Sequence, residues 1–258
     1  MVCYFILYTY ISSFSLDQNS KQYLKCFYRY KRNWISAEFA ILYRWHSIIP
    51  DCMQWGKETV TTIQSLFNNK LVVENMDGLR SAFVNISNHR ATAMGLFNTE
   101  DWMVGRDLAA LTQGRECKIR PYVDYCPYIG QPKPEKFSDI SKDVHTQKKL
   151  EEIYGTVDRI EFWVGLLASD NPPDNIMSAE LTKFVANDAF NQALTHPILS
   201  ENVWTKGAET FGKYGWELVQ KVQMISDILE RNTNEGEPLR EFVGMTVPGS
   251  KKKCQSCI

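Results

Sequence analysis

Tyr43 and His46 stand three residues apart in the stretch EFAILYRWHSII, residues 38–49. Phe39, Leu42, Tyr43, His46 and Ile49 recur at intervals of three and four, a spacing that predicts one face of a helix ending before Pro50. On such a face the two side chains lie roughly 4.5 Å apart along the axis. A neutral imidazole so placed can ligate a metal, haem iron included. A phenol one turn earlier would lie near the same iron-bearing ring, close enough to be oxidised by it. The spacing alone is a weak signal, because a Tyr-x-x-His pair on an apolar helix face usually belongs to a core.

The surrounding chain supplies mostly helices to position the pair. TVTTIQSLF (59–67) fits a short helix, against the preference of its β-branched residues. Met76 to Met94 and residues 101–113 read as two further helical stretches. RPYVDYCPYIGQPKPEKF (120–137) is a loop rich in proline and aromatics. Thr146 is placed to cap TQKKLEEIYG, with Gly155 as its stop. SDNPPDN (169–175) is a turn, and YGWELVQKVQMISDILERN (214–232) predicts a last long helix. These elements make a mainly α chain with no internal repeat.

Composition narrows the function classes. Of 258 residues, 44% are apolar and 23% charged, the balance of a globular chain. Lys and Arg total 29 against 30 Asp and Glu, which gives no electrostatic footprint for nucleic acid. The apolar start MVCYFILYTYISSF is too short to span a bilayer and lacks the basic region of a signal peptide. The seven cysteines do not follow disulfide-scaffold spacing. Cys254 and Cys257 form a C-x-x-C in a polar tail beside Lys251–Lys253, and read as flexible-tail thiols. Asn85-Ile86-Ser87 is a glycosylation triplet inside a helical stretch, where chance is the better explanation.

The longer string around the pair is far more specific than its spacing. AEFAILYRWHSIIPD (37–51) resembles the cyclooxygenase (prostaglandin G/H synthase) segment of the animal haem peroxidase superfamily. Tyr43, Trp45, His46, Pro50 and Asp51 stand where that family has Tyr-x-Trp-His and the following Pro-Asp. The similarity continues through LFNNKLVVEN (66–75), GRECKIRPYVDYCPYIGQPKPEKFSDI (114–140), KLEEIYGTVDRIEFWVGLL (149–167) and HPILSENVWTKGAETFGKYGWELV (196–219). It is collinear from about Lys31 to Pro248. The resemblance implies the C-terminal portion of a haem-peroxidase-like helical domain over 31–248, after a divergent segment 1–30 and before a disordered tail 249–258.

The chemistry implied is equally concrete. His46 would be the proximal ligand of haem b, and Tyr43 the residue that becomes a radical when the haem meets peroxide. That radical would take a hydrogen from a polyunsaturated fatty acid, dioxygen would add, and the haem would reduce the hydroperoxide. Phe39, Leu42, Trp45, Val185 and Ala189 would line the substrate channel. Ala189 replaces the family's channel serine, and Val185 replaces a glycine, which narrows the channel end. By resemblance the protein would sit on the endoplasmic reticulum or nuclear-envelope membrane, pairing as a homodimer, while the sequence itself leads us to expect no signal peptide, retention signal or membrane helix in this chain.

Other departures define an alternative. The family's distal histidine and glutamine, its carboxylate-binding arginine and its membrane helices lie upstream of the tyrosine, where this chain has few residues. His89, His145 and His196 read as surface or structural groups, and Glu230 and Glu237 replace two family cysteines. A truncated, catalytically inert fragment serving as a binding or interaction module is therefore the competing expectation.

Overall fold

The computed structural model describes residues 35–244, apart from 69, 71–75, 77, 90, 174, 200, 205, 234, 235, 237, 241 and 242. The N-terminal segment 1–30, Glu237 and the tail with Cys254 and Cys257 lie outside the described residues. The chain is mainly helical, as its periodicity predicts. In order come α1 (Ala37–Leu42), the strands β1 (Cys52–Trp55) and β2 (Glu58–Thr61), α2 (Thr62–Phe67), α3 (Leu79–Ser87) and α4 (Val104–Glu116). There follow α5 (Tyr122–Tyr125), α6 (Val144–Tyr154), α7 (Phe162–Ala168) and α8 (Ala179–Thr195). The last are α9 (Glu201–Trp204), α10 (Ala208–Lys221) and α11 (Ile225–Asn232). Among the described residues no helix is long and apolar enough to cross a membrane.

These elements divide between two compact units, one drawn from Met1–Ile48 and Ala93–Ser200, the other from Ile49–Thr92 and Glu201–Ile258. The first holds α1 and α4 to α8 around a core that includes Ile41, Ala110, Tyr122, Ile160, Leu166 and Leu181. Six of the seven residues of α7 are buried, so this helix is apolar all round and runs through the middle of its unit. Tyr122 packs on it at Gly165, where a Cβ atom would come within 2.1 Å of the Tyr122 ring. The Tyr122 hydroxyl donates to Ser169 Oγ at 2.9 Å, and Ser169 donates in turn to the Gly165 carbonyl at 2.8 Å. Burial pushes the Tyr122 phenol far above its ordinary range, so it stays a donor. Beside it, Phe162 lies between Tyr125 at 4.3 Å and Phe184 at 5.3 Å between ring centroids, tying α5, α7 and α8 together.

Local chemistry moves several boundaries from their predicted places. The first third of the 59–67 segment is strand: Thr59, Val60 and Thr61 pair with Gln54, Met53 and Cys52 across a tight turn with Gly56 at φ 63°. The β-branched residues favour the extended partner, and Thr61 then caps α2 in a box with Gln64. The cap of α6 is Asp143, whose carboxylate accepts from Thr146 N at 2.8 Å and from the Thr146 hydroxyl at 2.6 Å. Gly155 closes the same helix at φ 71°, as its sequence predicts.

The expected last helix is two helices. Asp227 Oδ2 accepts from the backbone of Gln223 and Met224 at 2.8 Å each, capping α11 and breaking the chain from α10. In this second unit Leu229, Leu239 and Val243 form a small core with Phe83, Val84 and Ile225 against it. Glu230 accepts from the Leu239 amide at 2.5 Å and holds that segment to α11. The sequon residue Asn85 donates its side-chain amide to the Gln54 carbonyl at 2.5 Å, so its nitrogen is engaged within the fold.

Substituting Gly165 with alanine should be among the most destabilising small changes in the protein. The added methyl meets the Tyr122 Cβ and Cγ atoms, near the backbone, where rotamer change gives no relief. We expect a loss of at least about 2–3 kcal/mol by urea unfolding. Tyr122→Phe, which only removes one hydrogen bond, should cost about 1 kcal/mol. Equal effects of the two would show that the contact is not tight.

Candidate functional site

The segment bearing Tyr43 and His46 is not the continuous helix its spacing predicts. Ser36 caps α1 by accepting from Phe39 N at 3.0 Å, and the helix ends at Leu42. Tyr43 has left helical geometry at φ −94°, ψ 21°. The cause lies in the next two side chains. Trp45 donates its indole N–H to the Leu42 carbonyl at 2.6 Å, and Arg44 donates Nε to the Ala40 carbonyl at 3.0 Å. Both occupy carbonyls that a longer helix would reserve for its own backbone. A short 3-10 turn, His46–Ile48, follows. Tyr43 and His46 therefore project from two different local conformations rather than from one helical face.

Tyr43, partly buried, packs against two rings. Its centroid lies 4.4 Å from Phe39 and 5.3 Å from Trp45, the latter stacked at 22°. His46 points to α4, where its Nδ1 lies 2.6 Å from Asp107 Oδ1, with both side chains mostly buried at 16% and 17% exposure. Its Nε2 has no hydrogen-bond partner among the described residues. The same helix grips the segment one position past Tyr43, since Arg44 donates Nη2 to Gln113 Oε1 at 3.0 Å. On the far side the Ser47 carbonyl accepts from Asn98 Nδ2 at 2.9 Å. Sequence reasoning missed Asp107, which is 61 residues from His46 and carries no motif of its own.

The chemistry of these donors can be tested against a haem. One imidazole with one nitrogen tied to a carboxylate and the other unpaired suits a single axial bond to iron. Val104, three residues before Asp107 on α4 and so on the same helix face, is an apolar residue that stays half exposed. No group of three or more His, Cys, Asp and Glu gathers for a metal among the described residues. The donor set fits a macrocycle-held iron better than a bare ion.

The other candidate positions are partly assembled. Leu42 and Val185 are buried in the core of the first unit, with Tyr43 and Trp45 packed against it. Ala189 is also buried, on α8, which packs on α1. Phe39 reaches this group through its contact with Tyr43. The remaining histidines have structural partners. His89 Nε2 accepts from Gln54 N at 2.7 Å, His145 packs edge-on against Phe97 at 5.2 Å, and His196 Nδ1 accepts from Ile198 N at 3.2 Å.

The α1–α8 interface also holds two carboxyl groups that no motif announced. Glu38 accepts from the Tyr125 hydroxyl at 2.7 Å. Asp188 has its Oδ2 atom buried without a hydrogen-bond partner. Burial, with the Glu38 charge as a smaller contribution, pushes the Asp188 carboxyl up to about 6.

The comparisons with known proteins come down on the same side as the fold. The animal haem peroxidase family matches residues 5–243, and the chain belongs to that family. Among its relatives, prostaglandin G/H synthase 1 of Mus musculus is 29% identical over 195 residues, 75% of this chain and 32% of that protein. Prostaglandin G/H synthase 2 of Oryctolagus cuniculus is 26% identical over 82% of this chain and 34% of its own length. The chain thus spans about a third of the length of these distant homologues. In fold it resembles the Oryza sativa fatty acid alpha-dioxygenase, with TM-score 0.64 and 18% identity over 77% of this chain and 37% of that one. Peroxidase A of Dictyostelium discoideum superposes with TM-score 0.57 at 16% identity, over 79% of this chain and 42% of its own.

Asp188 yields a stability prediction. A carboxyl raised in the folded state contributes stability that is complete below its unfolded value of about 4 and is lost as pH rises through about 6. Asp188→Asn, which cannot ionise, should melt above wild type at pH 8. The two should converge near pH 4. Thermal melts across that range test it, and a constant difference between the proteins would show that ionisation of Asp188 has no part in stability.

Proposed function

We propose that this chain forms the proximal part of a haem-dependent fatty-acid oxygenase and peroxidase of the prostaglandin-synthase type. The observation that carries the reading is His46: in a chain of the haem peroxidase family, its Nδ1 is held by Asp107 and its Nε2 is left for a ligand. Haem b, bound through Nε2, would supply the redox chemistry with peroxide. The protein's own contribution is positional. Phe39 and Trp45 pack against the Tyr43 ring and fix its place, which would favour one direction of hydrogen-atom transfer from the phenol. The Tyr43 radical would then take a hydrogen from a bound polyunsaturated fatty acid, and dioxygen would add to the resulting carbon radical.

A fatty acid as substrate is supported by two sets of relatives, the prostaglandin synthases and a rice alpha-dioxygenase solved with palmitic acid. Leu42, Val185 and Ala189 are apolar and buried at the α1–α8 contact, the composition such a chain would need beside it. Val185 in place of glycine favours a substrate that bends or ends early there.

A second reading, a catalytically inert binding module, draws on Val104 and Leu108, which are 49% and 59% exposed beside the His46–Asp107 pair. One titration separates the two. Added hemin should give the 258-residue chain a Soret band that His46→Ala abolishes. With fatty acid and peroxide present, Tyr43→Phe should lose oxygenase turnover and keep peroxidase turnover. A band indifferent to His46→Ala would remove the ligand assignment. A His46-dependent band without turnover would leave the binding module.

A further inference from the structure

We propose that Asp107 is the positioning residue of His46, fixing the proton on Nδ1 so that the Nε2 lone pair is presented to iron. The inference rests on the haem reading above and adds to it a determinant of ligand geometry and strength. A neutral imidazole carries one proton on either ring nitrogen, and the form protonated on Nε2 cannot ligate through that atom. A carboxylate has only acceptor capacity. At 2.6 Å, Asp107 Oδ1 can take a hydrogen bond from Nδ1–H and cannot give one, so it selects the ligating form.

The placement of Asp107 gives it a fixed direction, since it stands in the first turn of α4 with its carboxylate turned to His46. Both partners are mostly buried, at 16% and 17% exposure, so water competes poorly for the bond. The imidazole is not free to swing away. Arg44 is tied to Gln113, six positions further along α4 and roughly 9 Å up its axis, so the helix holds the segment at two separated points. The Ser47 carbonyl accepts from Asn98 and its hydroxyl from the Gly95 amide at 3.4 Å, which restrains the other side of His46.

A carboxylate behind the ring also changes the ligand itself. Hydrogen bonding from Nδ1 to a full negative charge increases electron density on Nε2, which strengthens its bond to ferric iron more than to ferrous iron. The Fe(III)/Fe(II) potential of the loaded protein should accordingly lie lower than with a neutral partner at this position.

Two measurements on the full chain test the assignment. Nitrogen-15 NMR of the imidazoles at about pH 9, above the range in which imidazole takes up a proton, reads the tautomer without any haem. His46→Ala identifies the signals. Wild type should show the Nδ1–H form and Asp107→Ala should lose it, while Asp107→Asn, whose amide oxygen still accepts, should largely restore it. With hemin, Asp107→Ala should weaken binding by about 10- to 100-fold. Asp107→Asn should bind with smaller loss but raise the iron potential, an effect that a merely structural residue would not produce. The Nε2–H form in wild type, or one tautomer population shared by wild type and Asp107→Ala, overturns the proposal. If instead the hemin spectrum ignores His46→Ala while the tautomer depends on Asp107, the haem reading fails and the positioning role stands.

Discussion

Between Leu42 and His46 the backbone leaves the α-helix, and its shape there depends on side chains. Trp45 satisfies the Leu42 carbonyl, Arg44 reaches both Ala40 and Gln113, and His46 meets Asp107. Remove the grip of α4 and the segment would have little beyond a 3-10 turn to fix it. That grip requires α1 and α4 to approach closely. At Gly114 they do, with the Ile41 side chain 3.4 Å from where a Cβ would stand, an ordinary van der Waals distance. Ile41 and Ala110 are almost fully buried in the same core. The polar clamp therefore stands on an apolar contact made by small and branched side chains, and each supports the other.

Much of this was legible from the sequence because the helices of the first unit obey simple periodicity. The mainly α class and the stop at Gly155 follow from local patterns of this kind. What was not legible depended on side chains reaching backbone groups out of pattern. Phe39, Leu42, Tyr43 and His46 have helical spacing, yet Trp45 and Arg44 end the helix by taking its carbonyls. Thr146 looked like a cap and is the partner of one, Asp143, three residues earlier. Asp227 likewise divides a stretch whose apolar residues alone would run on.

The candidate site shows the same division. Tyr43 and His46 could be singled out because a collinear resemblance surrounds them, whereas Asp107 lies in an ordinary amphipathic stretch whose charge gives no hint of direction. Only the fold, by laying α4 beside the 3-10 turn, turns that residue into a partner of His46. Glu38 and Asp188 were hidden for a related reason. Each adjoins a candidate channel position, Phe39 and Ala189 respectively, and apolar neighbours at helical spacing draw attention away from a single carboxylate between them.

These carboxyl groups place a constraint on the proposed chemistry. The α1–α8 contact has to be apolar enough to accept a fatty-acid chain, yet it includes an Asp188 oxygen without a partner. Burying a charge there is costly, and the raised proton affinity of Asp188 relieves the cost by favouring the neutral acid. Glu38, by contrast, accepts a hydrogen bond from the Tyr125 hydroxyl. One carboxyl thus has a hydrogen-bond donor at hand, while its neighbour has none and resists ionising. Oxygenation of a lipid beside Tyr43 would need that difference, because a second unpaired charge at this contact would draw water toward the radical.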